Sequence, residues 1–146
     1  MMKNEQPDKD PQSMVEGFHR LFDIVVQQTP GPIDERTRML RERLIQEEFE
    51  ELKEAMGKED LVAIAKELAD LLYVVYGTAV SYGIDMEPVF REVHRSNMSK
   101  VGGYKREDGK WVKPPTYSAA AIQPLLAEQQ GARKRELESL QTCEEV

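Results

Sequence analysis

Apolar residues recur along this chain with the period of about 3.6 residues that marks one face of an α-helix. Phe18, Leu21, Phe22, Val25 and Val26 share an arc of a first helix, which the capping-box pair Ser13 and Glu16 starts and Pro30-Gly31-Pro32 ends after about Gln28. From Asp34 to Met56 the apolar arc is Leu44, Ile45, Phe49, Leu52, Ala55 and Met56, opposite Glu42, Arg43, Gln46, Glu50 and Lys53. A third segment, about Asp60 to Tyr82, is apolar almost all round, the pattern of a central and buried helix. Gly57 and Gly83 suit the left-handed position that closes the second and third helices. Asp85 is a good N-cap for a fourth, whose apolar arc is Met86, Val89, Phe90 and Val93, with Pro88 tolerated in its first turn.

Beyond the fourth helix the pattern breaks. Two adjacent glycines, the Asp108-Gly109 turn signal and Pro114-Pro115 predict an ordered loop or short hairpin between Val101 and Tyr117. A last short helix follows from Ser118 to about Glu128, and Gly131 onward reads as a charged, frayed end. The expected fold is therefore all-α: a bundle of four principal helices, a C-terminal loop or hairpin, and a final short helix. Residues 1–12 read as a disordered segment, 13–130 as the folded domain and 131–146 as a flexible tail.

Within this pattern several carboxylates stand where apolar side chains belong. In Glu47-Glu48-x-x-Glu51, Glu48 projects from inside the apolar arc of its helix, Glu51 lies near the arc's edge, and Glu47 sits roughly 40° further toward water. In Glu67-x-x-Asp70, both acids belong to the helix that has least reason to carry charge. Like charges ~4 Å apart repel by about 1 kcal/mol in water and by more in a cleft. A cluster of this kind either raises its own pKa values or holds a cation. All candidate ligands are oxygens, which selects Mg²⁺ or Mn²⁺ before Ca²⁺ and argues against zinc or copper. Asn97 also falls within an apolar arc, with His94 and Lys100 at its margins, and a buried asparagine must be paired, by an interhelical hydrogen bond or by a ligand. Tyr73, one turn beyond Asp70, either packs in the core or meets a ligand. Trp111 either stacks on a base, meets a second chain or covers the bundle. His19 and His94 read as boundary histidines.

Glu47-Glu48-x-x-Glu51 followed by Glu67-Leu68-Ala69-Asp70-Leu71-Leu72-Tyr73 resembles the signature of the all-α nucleoside triphosphate pyrophosphohydrolases, the MazG-like and phosphoribosyl-ATP pyrophosphohydrolase-like superfamily. Glu92-Val93-His94-Arg95-Ser96-Asn97-Met98-Ser99-Lys100, with Asp108-Gly109-Lys110 and Lys113-Pro114, is similar to the branch of small bacterial members that includes MazG-like dUTP pyrophosphatases. The resemblance covers about Phe18 to Ala121, and its acidic motifs are more specific for the superfamily than for a substrate. It implies Glu48, Glu51, Glu67 and Asp70 as ligands of Mg²⁺, with Mn²⁺ as a substitute, and Glu47 as the group that orients or deprotonates the attacking water, or else as a further ligand. It supports Asn97 and Lys100 as groups that reach the substrate, and Lys113 as the best placed of the basic residues Lys105, Arg106, Lys110 and Lys113. Tyr73 is a candidate contact to sugar or base.

Composition narrows what such a site serves. One domain fits 146 residues. A net charge of −7 argues against a nucleic-acid polymer as partner, and no apolar stretch is long enough to span a membrane. Cys143 is the single cysteine and cannot form an intrachain disulfide, which favours a cytoplasmic setting; the polar start of the chain lacks a secretory apolar region. The expected activity is hydrolysis of a nucleoside triphosphate such as dUTP or dCTP to a monophosphate and pyrophosphate. Phosphoribosyl-ATP hydrolysis in histidine synthesis, or a non-catalytic helical module with a structural metal, are the alternatives. An all-round apolar third helix, together with the resemblance, implies a homodimer.

Overall fold

The computed structural model describes residues 10–144. Its elements are α1 (Pro11–Leu21), α2 (Glu35–Gly57), α3 (Leu61–Tyr82), α4 (Met86–Met98), β1 (Tyr104–Lys105), β2 (Trp111–Val112) and α5 (Gln123–Glu144). The chain is all-α apart from one antiparallel hairpin, in which Tyr104 faces Val112 and Lys105 faces Trp111. It forms two compact units that divide between Ile84 and Asp85. The four principal helices are thus shared: α1 to α3 build the first unit, and α4 belongs to the second with the hairpin and α5.

In the first unit α2 and α3 pack as a helical hairpin and α1 lies on α3, around Val15, Leu52, Ala55, Ala79 and Val80. Sequence predicts α2 and α3 closely, because both start on a capping aspartate. Asp34 accepts from the Thr37 amide, and Asp60 from the amides of Val62 and Ala63. The start of α1 differs from expectation. Its N-cap is Asp10, which accepts from both the amide and the hydroxyl of Ser13, and Pro11 fills the first position, where no amide hydrogen is needed. Of the expected disordered segment 1–12, residues 1–9 lie outside the described residues.

The end of α1 differs too. The helix stops at Leu21 rather than near Gln28, because the Ile24 amide turns back to the His19 carbonyl at 2.8 Å while Asp23 takes a left-handed φ of 55°. The same closure ends α2 and α3. At α2 the Asp60 amide reaches the Ala55 carbonyl and the Glu59 amide that of Met56; at α3 the Ile84 amide reaches Ala79 and the Gly83 amide Val80. Gly83 is left-handed as expected, but at the end of α2 that conformation falls on Glu59 (φ 53°), not Gly57, which stays helical. A side chain there costs about 1–2 kcal/mol, less the chain entropy that glycine loses. Glu59→Gly should therefore stabilise the first unit by about 0.5–1 kcal/mol in urea melts. A variant that melts at or below the wild type would show that the Glu59 side chain contributes more than its backbone costs.

Residues 22–33 are stitched to the C-terminal half of α3. The Val25 carbonyl accepts from His19 Nδ1 (3.0 Å) and Ser81 Oγ (2.9 Å), the Gln27 amide donates to Val80, and the Gly31 amide to Tyr82. His19 is therefore a fully buried donor rather than a boundary residue, and its burial lowers its pKa. Arg41 is buried beside it, donating to the Thr78 hydroxyl and the Val74 carbonyl. Gly77 makes room for both, since a Cβ there would run into the Arg41 guanidinium and the His19 ring.

Only part of α3 is covered within one chain. Leu61, Ala65, Leu68, Leu72 and Val75 are all exposed, at intervals of four, three, four and three residues. All-round apolarity hides this stripe in the sequence, and burial of the opposite face reveals it.

In the second unit Asp85 caps α4 as expected, and Gln129 of α5 bonds both the amide and the carbonyl of Asp85. The α5 helix runs through Gly131, well past the expected end near Glu128. Asn97 is exposed rather than buried, and its Oδ1 accepts from Lys100 Nζ at 2.7 Å. Trp111 covers the end of α4, its indole N–H donating to the Lys100 carbonyl at 2.8 Å.

Candidate active site

The short turn between α2 and α3 sets the register of the carboxylates. Glu48 lies nine residues before the last residue of α2, and Asp70 nine residues after the first residue of α3. At about 1.5 Å per residue both stand roughly 13 Å from the turn, at matching heights. Glu67 is one turn before Asp70 on the same helix face. Glu48, Glu67 and Asp70 each bring a carboxylate oxygen within 4.8 Å of the others.

Two carboxylate oxygens of this trio, Glu48 Oε2 and Glu67 Oε2, are buried without a hydrogen-bond partner. A buried, unpaired carboxylate oxygen is costly, and three acids at this spacing repel one another. Burial raises the Glu48 pKa, and the charges of Asp70, Glu51 and Glu67 raise it further. The partial answer within the chain is Lys66, whose ammonium donates to Asp70 Oδ2 (2.6 Å) and Glu67 Oε1 (3.3 Å) and is itself held protonated by those bonds. One exposed ammonium against three carboxylates leaves the cluster negative, with two oxygens still unmet. This donor set fits a hard divalent cation: oxygen ligands only, convergent and undercompensated.

The other expected site residues are distributed as follows. Glu51 is exposed and outside the trio, although its charge is felt at Glu48. Glu47 is also exposed, with Arg43 Nε 3.8 Å away. Tyr73 is partly exposed and stands edge-on to Phe18 at 5.5 Å, while Phe18 in turn contacts Phe22 at 4.5 Å. Asn97, Lys100 and Lys113 lie in the second unit, where Lys113 Nζ sits 4.3 Å from the centroid of the Tyr117 ring. Sequence reasoning missed Lys66, whose four-residue spacing from Asp70 is the signal that would have found it.

Fold and site together define an all-α protein with a carboxylate cluster, competent for a divalent cation, on a helical hairpin. Residues 15–97, more than half of the chain, match the model of the phosphoribosyl-ATP pyrophosphohydrolase family, and the chain belongs to that family. The match spans α2 and α3 whole and ends at Asn97. Membership makes the protein a pyrophosphohydrolase-type enzyme, a hydrolase of phosphoric anhydrides. No curated protein matches the chain. Among the described residues, no helix is long and apolar enough to cross a membrane.

Proposed function

We propose that the protein is a Mg²⁺-dependent nucleoside triphosphate pyrophosphohydrolase that cleaves the bond between the α- and β-phosphates, with a pyrimidine deoxynucleotide such as dUTP or dCTP as substrate. The observation that carries this reading is the pair of buried, unpartnered oxygens of Glu48 and Glu67, two members of the trio completed by Asp70. Glu48, Glu67 and Asp70 hold the ion, Glu51 completes the set, and Mn²⁺ substitutes for Mg²⁺. When bound, such an ion neutralises phosphate charge and polarises the phosphorus centre. Glu47, exposed and only loosely paired, orients the attacking water and accepts its proton. The water oxygen bonds to the α-phosphorus, the α–β bridging bond breaks, and pyrophosphate leaves with the electron pair. Asn97, Lys100 and Lys113 bind the substrate, and Tyr73 contacts its sugar or base. The motif similarity of residues 92–114 to small dUTP pyrophosphatases supports the pyrimidine assignment.

The family match favours a second reading, hydrolysis of phosphoribosyl-ATP at the same α–β bond. Both readings fit a homodimer. The exposed stripe on α3 has the four-three spacing with which helices pair along a seam, so a second copy of α3 is its natural cover. A cytoplasmic setting follows from either substrate.

A panel of nucleoside triphosphates and phosphoribosyl-ATP, incubated with protein and Mg²⁺, should release pyrophosphate and no orthophosphate. Orthophosphate as sole product would sink the α-phosphorus mechanism. Turnover of phosphoribosyl-ATP alone would select the second reading, and no turnover at all would leave a non-catalytic metal-binding module.

A further inference from the structure

The second unit gathers cationic groups around one phenol. Lys113 Nζ lies over the Tyr117 ring, and Ser96 Oγ donates to the Tyr117 oxygen at 3.4 Å. Lys100, four residues beyond Ser96 in the turn that follows α4, also acts on this phenol, as do Lys113 and Arg95. Arg95 is already neutralised: Glu92 holds it at 2.7 Å, and Glu92 also accepts from the Ala121 amide. Lys100 and Lys113 have no carboxylate partner among the described residues, and Lys100 bonds only the neutral amide of Asn97. The Ser96 bond lowers the Tyr117 pKa, with the nearby lysines adding to it. With Ser96 as the donor of this bond, the phenol's own proton remains to donate to a bound anion. Two ammoniums without a carboxylate partner, beside a phenol hydroxyl, are what the oxygens of a polyphosphate require.

We propose that Tyr117, with Lys100 and Lys113, forms a phosphate-oxygen subsite within the second unit that binds polyphosphate without a metal ion. The phenol donates to a non-bridging oxygen, and the two lysines neutralise charge from either side. The subsite deepens the substrate reading above and rests on it for the identity of the polyphosphate, but its assembly uses only residues 92–121. Trp111, bonded to the Lys100 carbonyl, ties the hairpin to the turn that follows α4.

The test is equilibrium dialysis of the full chain against inorganic tripolyphosphate in EDTA at low salt. The wild type should bind. Tyr117→Phe keeps the ring under Lys113 and loses one hydrogen bond to a charged acceptor, so it should bind about tenfold more weakly. Lys100→Ala with Lys113→Ala should abolish binding over the same range. Equal affinity of wild type and Tyr117→Phe overturns the proposal, as does absence of binding by the wild type in EDTA. A purely structural role for the phenol would lower the melting temperature of Tyr117→Phe and leave its affinity alone. Tripolyphosphate binding without nucleotide turnover would defeat the enzymatic reading and keep the subsite; turnover without metal-free binding would do the reverse.

Discussion

Glu48→Gln and Asp70→Asn should each lower turnover by about 10²–10³-fold or more, because each removes a charge from the centre that stabilises the transition state. In metal-free buffer the same substitutions should leave the protein folded, and Glu48→Gln should raise its stability by about 1 kcal/mol, the repulsion of like charges ~4 Å apart in water. The pH dependence carries the same signature. The folded-state pKa of Glu48 is raised, first by burial and then by Asp70, Glu51 and Glu67, so the folded chain binds that proton more tightly than the unfolded chain. Without metal, the first unit should gain stability as pH falls through the raised Glu48 pKa toward the ordinary carboxylate value, and Glu48→Gln should lose that gain. Glu92 works in the opposite sense in the second unit. Arg95 and the Ala121 amide hold its pKa at about 2, so its contribution is present above the ordinary carboxylate value and is lost as pH falls toward 2. Thermal melts across pH in EDTA check both arms. A Glu48→Gln protein that melts below wild type in EDTA would mean that the carboxylate is satisfied without an ion.

Gly83→Ala should destabilise the first unit by about 3 kcal/mol, combining left-handed strain with overpacking against backbone. The residue has φ 72°, and a Cβ there would overlap the Thr29 carbonyl, which belongs to the stitched segment 22–33 and has no freedom to swing away. Gly57→Ala is the control. Gly57 is helical and a Cβ there meets nothing within 4 Å, so the substitution should stabilise by about 0.5–1 kcal/mol. Urea denaturation of the two variants gives the comparison, and equal effects would refute the close approach of Thr29 to the α3 terminus.

The contrast between these two glycines shows where sequence reasoning holds. Local signals found the helices: the apolar pattern marks α2 and α3, Asp85 caps α4 as expected, and Asp108-Gly109 marks the hairpin turn. The convergence of Glu48, Glu67 and Asp70 was legible because helical phase is local and one short turn relates the two helices. The errors lie where distant bonds decide. Val25 and Val26 continue the apolar period of α1, yet His19 and Ser81 capture the Val25 carbonyl and the helix ends four residues before it. Helical phase also placed Asn97 inward, although the single chain leaves it exposed. Tyr117 stood at the end of a segment read as an ordered loop or short hairpin, and its neighbour Ser96 on α4 lies some twenty residues away in the chain.

Trp111 is the only tryptophan in the chain, and it belongs to the second unit, bonded to the last turn beyond α4. The first unit contains tyrosines and phenylalanines but no indole. Long-wavelength fluorescence therefore reports on the surroundings of the hairpin alone, whereas far-ultraviolet dichroism sums over the helices of both units, α5 as much as α3. One denaturation followed by both signals measures whether the halves unfold together. Coincident curves would make the division at Ile84 and Asp85 one of geometry; separated curves would make it a thermodynamic boundary, with each half carrying its own stability.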